Sequence, residues 1–300
     1  MTFVSCSIPE QFVNPLFEVF DGGDFVLSSY RDVEEPLARM RIYLEDPSGA
    51  AEATRLLREA MGVVGVDAPV ETGEMPDEDW KLSYRRHFKI DPIGRRLVIV
   101  PEWEVEAWKG DGSSPPREMI VMDPGLAFGT GKHETTRACL QYIDALSGEL
   151  GGASFLDMGC GSGILSIAAA KLGFVPVRGF DVDPEAVAVA AENAAKNGVS
   201  VAFDHFALGR GRPVPGGVAR YDVVAANILG PLLVRFADEV AAAAGGELIV
   251  SGILNELYPE VLAAYAARGF RELDRTTLGE WTTGLLVRSA SDGTGALSCQ

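Results

Sequence analysis

From about residue 150 the chain repeats one unit: a short apolar run, a turn marked by glycine or proline, then a stretch with helical spacing. Ser154-Phe155-Leu156-Asp157-Met158 runs into Gly159-Cys160-Gly161-Ser162-Gly163 and a helix over 164–172. Val177-Arg178-Gly179-Phe180-Asp181 leads to a helix over 184–197, and strands over 221–227 and 247–251 precede helices over about 230–244 and 257–267. Strands separated by helices predict a parallel sheet with right-handed crossovers. The end of the chain breaks the pattern, because the runs at 270–273 and 283–287 have no helix between them and predict a closing antiparallel hairpin. The fold class is therefore α/β, a doubly wound and mostly parallel sheet with a C-terminal hairpin.

Residues 1–74 are written differently. Apolar residues alternate at Met40, Ile42 and Leu44, a helix is expected over Ala53 to Met61 with Gly62 as its stop, and further strands are expected at 25–27 and 63–66. This predicts a small α+β domain of the ferredoxin-like kind. Glu71 to Asp79 is acidic with no apolar period, as in a linker, and Trp80 to Phe88 suits a short connecting helix. The domain reading is 1–74 for substrate recognition, 75–88 for a linker helix, 89–288 for catalysis and 289–300 for a flexible tail.

Charge bears on the partner. The 26 basic and 43 acidic residues leave −17, a sign that repels a phosphate backbone, so nucleic acid is not expected as a direct partner and a basic protein is. No run of about 18 apolar residues could span a bilayer, and no leader is written at the N-terminus, so a cytoplasmic protein is expected. Four scattered cysteines and three histidines supply no metal-ligand spacing, so no metal site is expected. A monomer is the simpler expectation for the free protein.

A glycine turn between a strand and its helix lets a ligand meet backbone N–H groups and the positive end of the helix dipole. The dinucleotide pattern G-x-G-x-x-G requires a glycine at 164, where Ile164 stands; the spacing here is G-x-G-x-G, which recurs in enzymes that bind S-adenosylmethionine. Asp181, ending the second strand, is placed to accept both hydroxyls of a ribose, and Asp183 before Pro184 reads as a helix cap.

Two further segments, Gly129-Thr130-Gly131-Lys132-His133-Glu134-Thr135-Thr136 and Ala226-Asn227-Ile228-Leu229, make the pattern specific. With Pro101-Glu102-Trp103-Glu104, Ser251-Gly252-Ile253-Leu254 and Glu280-Trp281, the chain from Asp79 to Arg288 resembles the bacterial family that methylates large-subunit ribosomal protein eleven. The resemblance implies a class I S-adenosylmethionine-dependent methyltransferase fold and N-methylation of lysine or N-terminal amines of that ribosomal protein. It also implies cofactor contacts at Thr136, Gly159, Asp181 and Asn227, with Asn227 in the active centre as the catalytic residue. His133 is a weaker candidate for a base. Methylation of another protein, such as an electron-transfer flavoprotein subunit, is the alternative in the same class, and an NAD-dependent oxidoreductase is the alternative from another.

Overall fold

Alternation of apolar and polar residues builds the first sheet. In the computed structural model, which describes residues 2–20, 25–30, 37–44, 46–74, 89–122, 134–209, 214–216 and 219–289, the chain divides into two units, Met1–Phe88 and Lys89–Gln300. The first contains β1 (Thr2–Pro9), α1 (Val13–Val19), β2 (Leu27–Tyr30), β3 (Leu37–Leu44), α2 (Ala50–Val64) and β4 (Glu71–Glu74). The strand order is β2-β3-β1-β4, antiparallel throughout, which is the ferredoxin-like arrangement. Val4, Cys6 and Ile8 on β1 and Met40, Ile42 and Leu44 on β3 point to one face, where Leu16 of α1 and Leu57 and Met61 of α2 bury them.

Two expectations for this unit need correction. Residues 63–66 are not a strand: α2 continues through Gly62 to Val64 and ends at Gly65, whose φ of 74° gives the left-handed cap that releases Val66 N–H to Met61 O. Gly62 does not stop the helix, since an isolated glycine costs a helix only about 1 kcal/mol. The closing strand is Glu71–Glu74, within the segment expected to be linker. It carries no apolar signal because it is a largely exposed edge strand. Gly73 leaves room for the Phe3 ring, whose Cζ would lie 2.5 Å from a Cβ at that position. The expected linker helix over 75–88 lies outside the described residues, as does the tail beyond Ser289.

The second unit holds two sheets. A small one has order β5-β6-β7, from β5 (Asp91–Ile93), β6 (Leu97–Pro101) and β7 (Glu118–Met122). The helix α3 (Glu134–Ser147), not among the elements expected above, packs between this sheet and the main one. Then follow β8 (Phe155–Met158), α4 (Ile164–Lys171), β9 (Val177–Asp181), α5 (Pro184–Lys196), β10 (Ala202–His205) and β11 (Tyr221–Asn227). The chain continues through α6 (Gly230–Arg235), α7 (Ala237–Ala243), β12 (Ala244–Leu254), α8 (Tyr258–Ala266), β13 (Phe270–Leu278) and β14 (Trp281–Arg288).

The main sheet has order β10-β9-β8-β11-β12-β14-β13. Its first five strands are parallel, and β14 is antiparallel to both β12 and β13. From the central strand β8 the chain winds outward through β9 and β10, then returns to the other side with β11. Such a reversal opens a crevice at the carboxyl ends of β8 and β11. β10 escaped sequence reading because it is a four-residue edge strand with no buried residue. Among the described residues no helix is long and apolar enough to cross a membrane.

One buried carboxylate ties the small sheet to α3. Asp144 is 7% exposed and accepts Arg95 N–H at 2.6 Å and Arg96 Nε at 3.2 Å. Gly94 (φ 54°) is required there, because a Cβ would collide with Asp144 Oδ2. Asp144→Ala leaves these donors unpaired, and we expect it to lower unfolding free energy by about 2 kcal/mol, read as a drop in the denaturant midpoint at unchanged slope.

Candidate active site

The glycine turn is shaped by backbone geometry that side chains resist. Gly159, Gly161 and Gly163 have φ of 73°, 50° and 79°, in the left-handed region that glycine adopts without a steric penalty. Gly159 N–H and Cys160 N–H both donate to Phe180 O on β9, at 2.9 and 3.0 Å. A Cβ at Gly159 would lie 2.6 Å from Ile228 Cγ2, and one at Gly252 (φ 77°) would lie 2.5 Å from Ile228 O. Ile228, the residue after β11, is thus held between two glycines, one in the turn and one in a bulge of β12. These contacts bring the ends of β8, β11 and β12 together.

Between them opens a cleft of about 320 Å³, lined on its apolar side by Ile164, Leu165, Ile228, Leu229 and Trp281. That volume lies in the ~300 to 1,000 Å³ range of small-molecule sites. Thr136, Gly159 and Asn227 all line it, although 91 residues of sequence separate Thr136 from Asn227. Asn227 Nδ2 donates to Thr136 Oγ1 at 3.5 Å, an orientation that leaves Oδ1 as the acceptor. Asp181 stands beside the turn, its Oδ2 accepting Gly161 N–H at 2.9 Å and its Oδ1 accepting Asp183 N–H at 3.0 Å. Asp183 in turn caps α5 by accepting Glu185 N–H at 2.9 Å. His133 and the glycine-rich segment before it lie outside the described residues.

The floor of the site is polar and buried. Ser251, across from Asn227 in the sheet, shares a 2.6 Å hydrogen bond with Thr283 Oγ1 and donates to Thr135 O at 3.4 Å, fixing the first turn of α3 that carries Thr136. Asn193 Nδ2 donates to Ser162 O within the glycine turn at 2.9 Å. Asp157 is fully buried; its Oδ2 accepts Ser166 N–H and Ser166 Oγ, whereas Oδ1 has no hydrogen-bond partner among the described residues. Burial pushes this carboxyl up from 3.8 to about 7, against the opposing hydrogen bonds from Ser166. The Cys160 thiol is pushed up too, by burial first and by Asp157 and Asp181 after it, so it stays protonated and unreactive.

Sequence reasoning did not single out Asp157, Ser251, Thr283 or Trp281 as parts of the site. An acid inside the apolar run Phe155-Leu156-Asp157-Met158 is a usable signal. Ser251 and Trp281 lie in motifs that carry the resemblance, but the contact of Ser251 with Thr283 exists only where β12 and β14 meet.

A doubly wound sheet with a G-x-G-x-G turn, an acidic residue ending its second strand and an asparagine at the switch point defines a class I S-adenosylmethionine-dependent methyltransferase. A family model described as ribosomal protein L11 methyltransferase (PrmA) matches residues 27–288, and the chain belongs to that family. A ribosomal protein L11 methyltransferase of Geobacter sulfurreducens is 45% identical over 225 residues, covering 74% of this chain and 70% of that protein. The Herpetosiphon aurantiacus protein of the same name is 35% identical over 273 residues, covering 83% and 82%. Among solved structures, the ribosomal protein L11 methylase of Lactobacillus delbrueckii subsp. bulgaricus superposes with a TM-score of 0.59 at 32% identity, covering 68% of this chain and all of that one. The resemblance read from the sequence is borne out, and the family match extends further upstream than Asp79, to the start of β2.

Two measurements check this geometry. Gly252→Ala should destabilise the protein by at least about 1–2 kcal/mol, the cost of a left-handed alanine, with the backbone contact to Ile228 added; the thermal midpoint reads it. For Asp157 the folded pKa exceeds the unfolded one, so its contribution to stability is complete below about 4 and is lost as pH rises through about 7. Asp157→Asn should flatten that part of the stability profile between pH 4 and 7.

Proposed function

We propose that this chain transfers methyl groups from S-adenosylmethionine to lysine or N-terminal amines of ribosomal protein L11, in the cytoplasm. The observation that carries the reading is the convergence of Thr136, Gly159 and Asn227 on one cleft, with the Asp181 carboxylate bonded to the glycine turn at its edge. The relatives named above support L11 as the substrate over an electron-transfer flavoprotein subunit. Ile164 at the position of the third dinucleotide glycine weighs against NAD.

The residues fit such a cofactor. Left-handed glycines leave room for a close approach to the turn backbone, and among the described residues each oxygen of Asp181 accepts one hydrogen bond, leaving lone pairs for two ribose hydroxyls. Ile164, Leu165 and Ile228 supply apolar surface and limit water. The bound cofactor would present a methyl group on a sulfonium, open to in-line attack with a neutral thioether leaving.

What remains for the protein is to deliver a neutral amine in line. A lysine near ~10.4 in water must lose its proton, and a desolvated cleft beside a positive charge favours that loss through burial and like-charge repulsion. No strong base is required. Asn227 Oδ1 would accept an amine hydrogen and aim the lone pair, with Thr136 Oγ1 holding the amide in that orientation. The ferredoxin-like unit would capture the ribosomal protein, and its possession of a hydrophobic core of its own supports that role.

Intact-mass analysis of purified L11 after incubation with the enzyme and S-adenosylmethionine should show gains in methyl increments. Asp181→Ala should weaken cofactor binding by about tenfold or more, the loss of a hydrogen-bonded charge. Asn227→Ala should cut kcat by about 10²-fold with cofactor affinity nearly intact. Normal turnover in the Asn227 variant would refute its assigned role.

A further inference from the structure

Strand order divides the cleft into two ends. Asp181 closes β9, on one side of the glycine turn after β8, whereas Gly252 and Trp281 belong to β12 and β14, on the far side of β11 and its Asn227. A cofactor whose ribose lies at Asp181 therefore reaches Asn227 from the β9 side. In-line displacement requires the amine to arrive from the side opposite the departing sulfur, which is the end of the cleft between Asn227 and Trp281.

That end has apolar walls on either side of β12. Leu229, just before α6, lines the cleft with 61% of its surface exposed, and Leu232 three residues on is exposed as well. Side chains at this spacing are neighbours on a helix, so apolar surface continues outward from the cleft. Leucine left open to water at the mouth of a site gains free energy when an apolar group covers it. Trp281 supplies the other wall, at the start of β14 and paired with Leu254 of β12.

One residue pins the hairpin tip that carries Trp281. Asn255, just past β12, donates from Nδ2 to Gly279 O at 3.0 Å, accepts Thr282 Oγ1 on Oδ1 at 2.8 Å, and gives its backbone N–H to Glu280 O at 3.0 Å. These bonds bracket Trp281 on both sides in sequence. Resting on the reading of this chain as an amine methyltransferase, we propose that Leu229 and Trp281 form a channel for the aliphatic stem of the substrate lysine, with Asn255 as the positioning residue for Trp281. Lysine lays its methylenes along apolar surface while its nitrogen seeks polar company, and at the end of this channel the nitrogen meets Asn227 Oδ1. An N-terminal α-amine has no such stem, so the channel favours lysine.

The test uses the full chain with purified L11. Leu229→Gln keeps the reach of an exposed side chain and removes its apolar end; it should raise KM for L11 by about tenfold, near the worth of two buried methylenes, with the S-adenosylmethionine dissociation constant unmoved in calorimetry. Trp281→Ala should act in the same direction. Asn255→Ala should raise KM in the parent and add nothing in the Trp281→Ala background, a pattern that lost stability alone does not produce. Straight-chain alkylamines competing with L11 should bind the parent about threefold to fourfold more tightly per added methylene, with a shallower dependence in Leu229→Gln. KM within twofold of the parent in folded Leu229→Gln, or an alkylamine series without slope, would overturn the channel. Weaker S-adenosylmethionine binding in both wall variants at unchanged KM for L11 would also overturn it, by assigning the walls to the cofactor. A full Asn255→Ala effect persisting in the double variant would strike its positioning role. Failure of the unaltered protein to methylate L11 would instead remove the reading on which the channel rests, and the channel with it.

Discussion

The clamping of Ile228 between Gly159 and Gly252 is the constraint on which the rest of the catalytic unit depends. Both glycines hold positive φ, and neither could carry a Cβ without meeting Ile228 closer than 2.7 Å. Because Ile228 follows directly after Asn227, the clamp sets where β11 ends relative to the turn after β8. The cleft is the space left over once these three chain segments have approached as closely as backbone allows. Its apolar lining follows from the same approach, since Ile164, Leu165 and Ile228 come from the elements that the clamp draws together.

Beneath the cleft the protein keeps polar groups where apolar ones would pack more cheaply. Asn193, Ser251, Thr283 and Asp157 are each at most 8% exposed. Three of them spend their hydrogen bonds on or beside chain segments that border the site: Asn193 on the glycine turn, Ser251 on the start of α3, and Thr283 on Ser251. Asn197 continues the pattern, its side chain accepting Val121 N–H at 2.7 Å and donating to Val121 O at 2.8 Å, in the manner of a neighbouring strand. Buried hydrogen bonds add little net stability but penalise misplacement strongly, which suits a site whose task is alignment. Asp157 differs, since burial favours its neutral form up to about neutral pH and one of its oxygens has no hydrogen-bond partner among the described residues.

The two units divide the work by composition. The second holds its core on both faces of a central sheet and uses it to fix a cleft. The first buries one face of its sheet under α1 and α2 and leaves the other face polar, with its arginines opposite serines. The acidic balance of the whole chain favours approach of a basic partner by long-range attraction.

The sequence by itself determined the parallel architecture, the closing hairpin and the cofactor chemistry. These rest on local signals: alternation of strand and helix, a turn that only glycines can make, and short motifs around Thr136, Asp181 and Asn227. It misplaced the end of α2 and the closing strand of the first unit, because Glu71–Glu74 is stabilised by pairing with β1 rather than by any apolar period of its own. β10 was missed for the same reason. Only the tertiary structure decided that Thr136 and Asn227 meet, that Ser251 bonds Thr283, and that Arg41 buries a donor with no acceptor among the described residues. Each of these depends on residues far apart in the chain whose contact is set by sheet register and by steric clearance at Gly159 and Gly252, quantities that local sequence does not encode.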